Sequence, residues 1–435
     1  MISAMGVQKT STRVLIERCH NAGLPVVAGG PLFTCEPEGF PEVDHLVLNE
    51  AELTLPLFLR DWQAGHPQHI YANDGFADIR RTPLPAWELA DLRRYVAMSI
   101  QYSRGCPFQC DFCNVTALFG HQPRTKSAAQ IIAELDALYA QGWRASVFFV
   151  DDNFIGHKQQ LKKELLPALI SWQQSHRRIA FYTEVSINLA DDPELVDMMV
   201  EAGFDTVFIG IETPHEESLA ESSKHHNQQR NLLEDVKSLQ RAGLEVQGGF
   251  IVGFDSDPPS IFQRQIEFIQ KSGIVTAMVG LLQAPPGTRL YERLLGEGRL
   301  CGDSSGNNVS SSTNIVPLMG LEKLQKGYRE LLINIYAPRQ YYQRLMTFLR
   351  EYRLPQLRAK LDFQHKMAFL RANFRLGIIG KERLQYWKVV VWTLFTRPRL
   401  LPLMVTLAIY GHHFRITCEK YILPEVTQLN SLETK

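Results

Sequence analysis

From Tyr95 to Leu282 the chain repeats one pattern six times, a short apolar run followed by a helix or a turn. The runs are Tyr95–Tyr102, Ser146–Val150, Ile179–Val185, Thr206–Ile211, Val246–Val252 and Ala277–Leu282. Helices are expected at Ser127–Gln141, Leu161–Ser175, Asp192–Ala202, Gln228–Ala242 and Pro259–Lys271, with Gly203 and Gly243 as C-terminal caps. Strands joined by helices that cross back must lie parallel, and crossovers of one hand curl the sheet. The pattern therefore predicts an α/β fold built on a partial parallel (β/α)6 barrel. In such a barrel the functional groups sit at the carboxyl ends of the strands.

Polar residues fall at those ends. Cys106–Cys113 follows the first strand, and Asp151-Asp152-Asn153 ends the second. Glu184 and Ser186 close the third, and Glu212 the fourth. Gly249, Ile251 and Gly253 lie within the fifth, and Pro286-Gly287-Thr288 follows the sixth. One carboxylate at such an end is often only a helix cap. Acidic groups arriving from three strand ends point instead to a binding face.

Cys106-Pro107-Phe108-Gln109-Cys110-Asp111-Phe112-Cys113 holds three of the seven cysteines. Thiolates are soft ligands that suit iron–sulfur clusters and zinc. Three can hold three corners of a cubane and leave one iron open to a small molecule. Gly105 permits a sharp turn and Pro107 stops a strand, so the stretch reads as a loop. Two other readings stay open. Positions 106, 110 and 113 also share one helical face, as a buried thiol stripe would. With His121 as fourth ligand the same cysteines would form a zinc site, although no second Cys-x-x-Cys accompanies them.

The remaining composition narrows the function classes. Lysine plus arginine equals aspartate plus glutamate, 46 each, which gives no broad field for nucleic acid. An odd number of cysteines without framework spacing argues against disulfides and for a reducing compartment. No basic stretch followed by an apolar core opens the chain, so a cytoplasmic location is expected.

Tyr102–Cys113 resembles the signature of the radical S-adenosylmethionine (SAM) enzymes, Cys-x-x-x-Cys-x-aromatic-Cys, with Phe112 in the aromatic place. The resemblance implies a [4Fe-4S] cluster on Cys106, Cys110 and Cys113, its fourth iron chelated by SAM. It also implies reductive cleavage of SAM to a 5′-deoxyadenosyl radical, an electron donor of flavodoxin or ferredoxin type, and a small-molecule substrate. It assigns SAM contacts to Phe112, to Asp151, Asp152 and Asn153 in the place of a Gly-Gly-Glu turn, and to Glu184, Ser186 and Glu212. The Gly-x-Ile-x-Gly run supplies Gly249, Ile251 and Gly253, with Ser256 where an acid is usual, and Pro286 marks the last turn.

Residues 1–75 resemble the second half of the cobalamin-binding domain that precedes many members of that family. Pro25–Pro31 and His45–Leu48 read as two strands, with Gly29-Gly30-Pro31 and Asn49–Glu52 as the turns beside a ligand. The first strands of such a domain are missing, so Met1 is expected to fall inside an ancestral domain. A two-strand remnant is expected to bind cobalamin poorly. Residues 76–94 read as a linker in which Trp87 packs onto the barrel spanning 95–300.

Residues 301–435 read as a helical region packed on the barrel, with Leu321–Leu361 helical and a break at Pro338. Gly302–Thr313 is a loop, and Tyr386–Tyr410 is apolar but broken at Arg397-Pro398-Arg399. Lys388, Arg397 and Arg399 beside Trp387, Trp392 and Phe395 offer peripheral membrane contact as the alternative. The general layout resembles that of the hopanoid lipid methylases, and the resemblance implies methylation of an unactivated carbon of a lipid or secondary metabolite. Rearrangement or cyclisation without methyl transfer is the second enzymatic reading, and a non-catalytic iron–sulfur or zinc protein the third.

Overall fold

The computed structural model describes residues 1–307, 311–355 and 363–422. The chain begins with β1 (Ile2–Ser3), α1 (Lys9–Asn21), β2 (Val27–Gly29), α2 (Pro31–Cys35), β3 (His45–Val47), α3 (Ala51–Gln63) and β4 (Ile70–Tyr71). Then come β5 (Met98–Ile100), β6 (Ser103–Arg104), α4 (Val115–Phe119), β7 (Arg124–Thr125), α5 (Ala128–Ala140) and β8 (Val147–Phe149). After α6 (Lys158–Gln160) and a π-helical turn follow α7 (Leu166–Ser175), β9 (Phe181–Val185), α8 (Pro193–Ala202) and β10 (Phe204–Glu212). Next are α9 (Glu216–Glu221), α10 (Leu232–Ala242), β11 (Glu245–Val252), α11 (Ile261–Ser272), β12 (Ala277–Leu281) and α12 (Arg289–Gly296). The last are α13 (Leu321–Tyr336), α14 (Pro338–Glu351), α15 (Phe363–Phe374), α16 (Arg383–Thr396) and α17 (Leu401–Thr417). These elements form two compact units.

One unit comprises Met1–Pro83, Ser103–Lys126 and Leu282–Val316. Its sheet has four parallel strands in the order β1-β2-β3-β4, which corrects the expected two. The extra strands hold two residues each, too few to leave a period-two pattern in the sequence. Ile16, Phe33, Phe40 and Leu46 form its core. Both glycines at the end of β2 are demanded by packing. A Cβ on Gly29 would lie 2.4 Å from the Val47 carbonyl oxygen. Gly30 has φ +88°, and a Cβ there would lie 2.7 Å from Ser3 Oγ.

The other unit comprises Leu84–Tyr102, Ser127–Leu281 and the chain from Pro317 on. Its six strands are all parallel and lie in the order β5-β8-β9-β10-β11-β12, the open (β/α)6 arrangement expected. Local signals set its helix ends. Ser127 accepts from Gln130 N and Asp192 accepts from Leu195 N as N-caps. Gly203 and Gly243 take the left-handed conformation at φ +104° and +112°. The expected helix 228–242 starts only at Leu232, because Asn231 caps Glu234 N at 3.2 Å. Helix α9 has six residues and left no periodic trace. Trp87 packs against this unit's core, as expected.

Strand β12 is an edge, and α13 covers it. Tyr328 Oη donates to the Val279 carbonyl at 3.0 Å and Tyr336 Oη to that of Ala277 at 2.6 Å. Edge carbonyls that would otherwise invite another strand are thereby bonded. Pro338 stands at the first position of α14, where its missing N–H costs nothing. The apolar run 386–410 divides into α16 and α17 around Pro398. Residues 308–310 of the Gly302–Thr313 loop, 356–361 of the expected Leu321–Leu361 helix, and 423–435 lie outside the described residues. Among the described residues no helix is long and apolar enough to cross a membrane.

Candidate active site

The cysteine loop is a hairpin with a pinned base. β6 and β7 pair antiparallel, Ser103 opposite Thr125 and Arg104 opposite Arg124. Gly105 has φ +93°, and a Cβ there would meet the carbonyl oxygens of Phe119, Gly120 and Gln122, each at 3.0 Å. Only glycine fits so close to three backbone oxygens. Cys106 N donates to Gly120 O at 3.3 Å, and Cys113 N to Cys110 O at 3.1 Å. Cys106, Cys110, Phe112 and Cys113 are half-buried, and all seven cysteines of the chain are thiols.

Both legs of the hairpin are held by the start of α3. Arg124 forks onto Glu50 at 2.9 and 2.6 Å, and Arg104 onto Glu52 at 3.0 and 2.8 Å. Glu50 also accepts from Ala77 N at 2.5 Å, and the Arg124 guanidinium lies 4.8 Å from the Phe76 ring centre. Burial opposes ionisation of Glu52, but the Arg104 guanidinium outweighs it and holds the carboxyl below its usual range. Bidentate pairs of this kind fix orientation as well as position. The Asn49–Glu52 turn, singled out as a ligand turn, thus supplies the clamp of the thiol loop.

Beside the loop lies a cavity of about 180 Å³ lined by Cys110, Cys113, Thr116, His121, Gly287 and Arg289, among others. Gly287 and Thr288 of the turn after the sixth strand therefore stand beside the cysteine loop. Leu290 N donates to Asp111 O at 2.9 Å, and Arg289 Nη2 to Gln109 Oε1 at 2.8 Å. His121 faces this cavity, yet among the described residues no three His, Cys, Asp or Glu side chains converge as a single ion requires. Zinc gathers its ligands on one point, whereas a cubane places each thiolate on a different iron. Three thiols on one pinned loop suit the [4Fe-4S] cluster.

The strand-end groups divide into scaffold and open carboxylates. Asp151 is buried and accepts from Tyr102 N at 3.2 Å, tying the end of β8 to that of β5. Asn153 Oδ1 accepts from Ser186 N at 3.2 Å, with Ser186 Oγ also 3.2 Å away. Asp152 and Glu184 remain as titratable groups. Burial, then the charge of Asp152, pushes Glu184 up to about 7. Burial raises Asp152 to about 6, although its side chain is exposed enough for solvent to screen it. Tyr182, two residues before Glu184 and so on the same strand face, stacks on Phe148 at 4.7 Å and 9°. This face therefore offers the Glu184 carboxyl, which resists ionisation, with Asp152 near it and a flat aromatic pair alongside, a setting that favours a cation.

Glu212 ends β10 at φ +62° after a register shift beyond Gly210, a bulge that re-aims its side chain. A Cβ on Gly210 would lie 2.3 Å from Glu212 Oε1, so a side chain there would displace the carboxylate. Lys224, which the sequence reading passed over, donates to Glu212 Oε1 at 2.7 Å. Gly249 has an intramolecular reason too, because a Cβ there would meet the Phe208 ring at 2.8 Å. The Ile251 carbonyl accepts from Gln265 Nε2 at 2.7 Å. Gly253 has φ +109°, and its N–H donates to Asp257 Oδ2 at 2.8 Å. Asp257 also accepts from Phe254 N and Ser218 Oγ, and burial raises it to about 6. The acid sought at Ser256 stands one residue later.

Comparison with known proteins bears on this arrangement. Residues 100–269 match the family model described as the radical SAM superfamily, and residues 288–423 match a domain of unknown function, DUF4070. The chain is 38% identical over 421 residues to an uncharacterized methyltransferase of Synechocystis sp., covering 95% of this chain and 78% of the relative. It is 34% identical over 400 residues to the hopanoid C-2 methylase of Rhodopseudomonas palustris, covering 89% and 75%. Two solved structures share the fold. The cobalamin-dependent SAM radical enzyme OxsB, with aqua-cobalamin and SAM bound, aligns at TM-score 0.60 and 14% identity over 99% of this chain and 72% of its own. The radical SAM methyltransferase TsrM of Kitasatospora setae aligns at 0.56 and 18%, covering 67% and 63%.

Proposed function

The chain belongs to the radical SAM superfamily, and from that premise we propose that it methylates an unactivated carbon of a lipid or secondary metabolite. The observation that carries the reading is the thiol loop, with Cys106, Cys110 and Cys113 on a hairpin pinned by Glu50 and Glu52. When bound, the cluster and SAM supply reductive cleavage to a 5′-deoxyadenosyl radical, chemistry that the protein aims rather than performs. Each residue then has a defined task. The three thiolates would hold three irons, and the clamp fixes the loop's register. Phe112 and Pro286 shape the surroundings of the open iron. Asp152 and Glu184 attract the positive charge of SAM, and the Phe148–Tyr182 pair gives its ring a flat wall. Gly249, Ile251 and Gly253 present backbone to the adenine. Glu212, neutralised by Lys224, aims the end of β10 toward the ribose, with Asp151, Asn153 and Ser186 holding the neighbouring turns.

We propose cobalamin as the methyl carrier, which the four-stranded unit would hold. The expected weak binding rested on a two-strand remnant, and the four strands remove that ground. A one-electron donor of flavodoxin or ferredoxin type completes the system. The test is turnover of the reconstituted, reduced enzyme with methyl-deuterated SAM and a lipid extract. Methylation gives both 5′-deoxyadenosine and S-adenosylhomocysteine, with the label in a product. If 5′-deoxyadenosine appears without S-adenosylhomocysteine or label, the chemistry is rearrangement or cyclisation and the methylase reading fails.

A further inference from the structure

Helix α16 is apolar on two opposite sides. Tyr386, Val389, Val390 and Thr393 are buried and pack it onto its own unit. Leu384, Trp387, Val391, Leu394 and Phe395 are exposed, Leu384 at 78% and Phe395 at 82%. At about 100° per residue these five fall within an arc of roughly 100°. Arg383 borders that arc on one side and Lys388 on the other, and both are exposed. A second exposed stripe precedes it, Leu370, Phe374 and Ile378 at helical spacing with Arg371 beside them. Trp387 Nε1 donates to Gly377 O at 2.9 Å and joins the two stripes.

Charge is equally one-sided here. Between residues 363 and 422 there are ten lysines and arginines against two glutamates, in a chain whose totals balance. Both glutamates are engaged already: Glu382 is buried and bonded to Arg415 at 2.9 Å, and Glu419 lies 3.1 Å from Arg415. Two groups suspected from sequence turn inward instead. Trp392 is half-buried under the Arg350 guanidinium, and Arg397 donates to the carbonyls of Leu349 and Arg350.

We infer that this face of α15 and α16 docks the protein on an anionic bilayer surface. An exposed apolar stripe bordered by long basic side chains is the geometry of an interfacial helix: the stripe enters the acyl boundary while the cations reach up to the headgroups. The local excess of positive charge selects an anionic partner. The docking surface lies outside the machinery assigned to SAM, so it stands or falls independently of the reaction.

The test is flotation of the full chain with phosphatidylcholine vesicles, with and without phosphatidylglycerol. The anionic vesicles should carry up about tenfold more protein, and added salt should release it. Leu384→Ser with Phe395→Ser, and separately Arg383→Glu with Lys388→Glu, should each lower the bound fraction about tenfold at an unchanged melting temperature. Absence of flotation with either vesicle overturns the inference. So does sedimentation showing that the same substitutions convert a dimer to a monomer without altering lipid binding, since the occupant would then be a second copy.

Discussion

Glu184→Gln should make the apo protein more stable, and only above a certain pH. In the unfolded chain the carboxyl titrates near 4.5, and in the fold burial and Asp152 move it to about 7. The native state therefore holds the proton more tightly, so stability falls as pH rises from the unfolded to the folded value. The full cost is present above pH 7 and is about 3 kcal/mol, at about 1.4 kcal/mol per unit. Glutamine cannot ionise, so the variant escapes that cost. In urea at about pH 8, with a slope on the order of 3 kcal/mol/M, its midpoint should exceed that of the parent by about 1 M. The difference should shrink toward zero as the pH approaches the unfolded value. The same variant should bind SAM more weakly, because a carboxylate kept where its ionisation is opposed gives up stability in favour of a cationic ligand. A pH-independent difference, or a destabilised variant at high pH, would refute the reasoning.

Other perturbations reach the remaining parts of the site. Cys106→Ala, Cys110→Ala or Cys113→Ala should each abolish iron–sulfur absorbance after reconstitution, whereas Cys19→Ser, Cys35→Ser or Cys301→Ser should retain it. Glu50→Gln should destabilise the protein by about 3 kcal/mol, because it strips the counter-charge from Arg124, and iron content per chain should fall with it. Lys224→Met should cost a similar ~3 kcal/mol in a denaturant titration by leaving Glu212 buried without its cation, and adding Glu212→Gln should recover most of it. Hydroxocobalamin added to the purified chain should shift the corrin spectrum stoichiometrically, and an unchanged spectrum would remove cobalamin from the account.

What was legible in the sequence follows from length scale. The barrel strands and the longer helices repeat often enough for apolar period and end caps to show, and Ser127, Asp192, Gly203 and Gly243 mark their ends as expected. The three thiols were legible because their chemistry is rare and their spacing short. What was lost is what the fold brings together from afar. Nothing near Arg104 or Arg124 in sequence announces Glu52 or Glu50, which lie 52 and 74 residues away. Lys224 meets Glu212 only because the chain turns back through α9. Strands β1 and β4 are too short to carry any period. The glycines read as turns beside a ligand also have a reason inside the protein, at Gly29 against Val47 and at Gly249 against Phe208.

The central claim is that Cys106, Cys110 and Cys113 hold a cluster that cleaves SAM. The most direct measurement is anaerobic reconstitution with iron and sulfide, reduction, and chromatographic assay of 5′-deoxyadenosine after SAM is added. About four irons per chain are expected, with 5′-deoxyadenosine released only when reductant and SAM are both present, and none from Cys113→Ala. A chain that takes up one zinc with no visible absorbance, or that loads iron fully yet releases no 5′-deoxyadenosine, would contradict it.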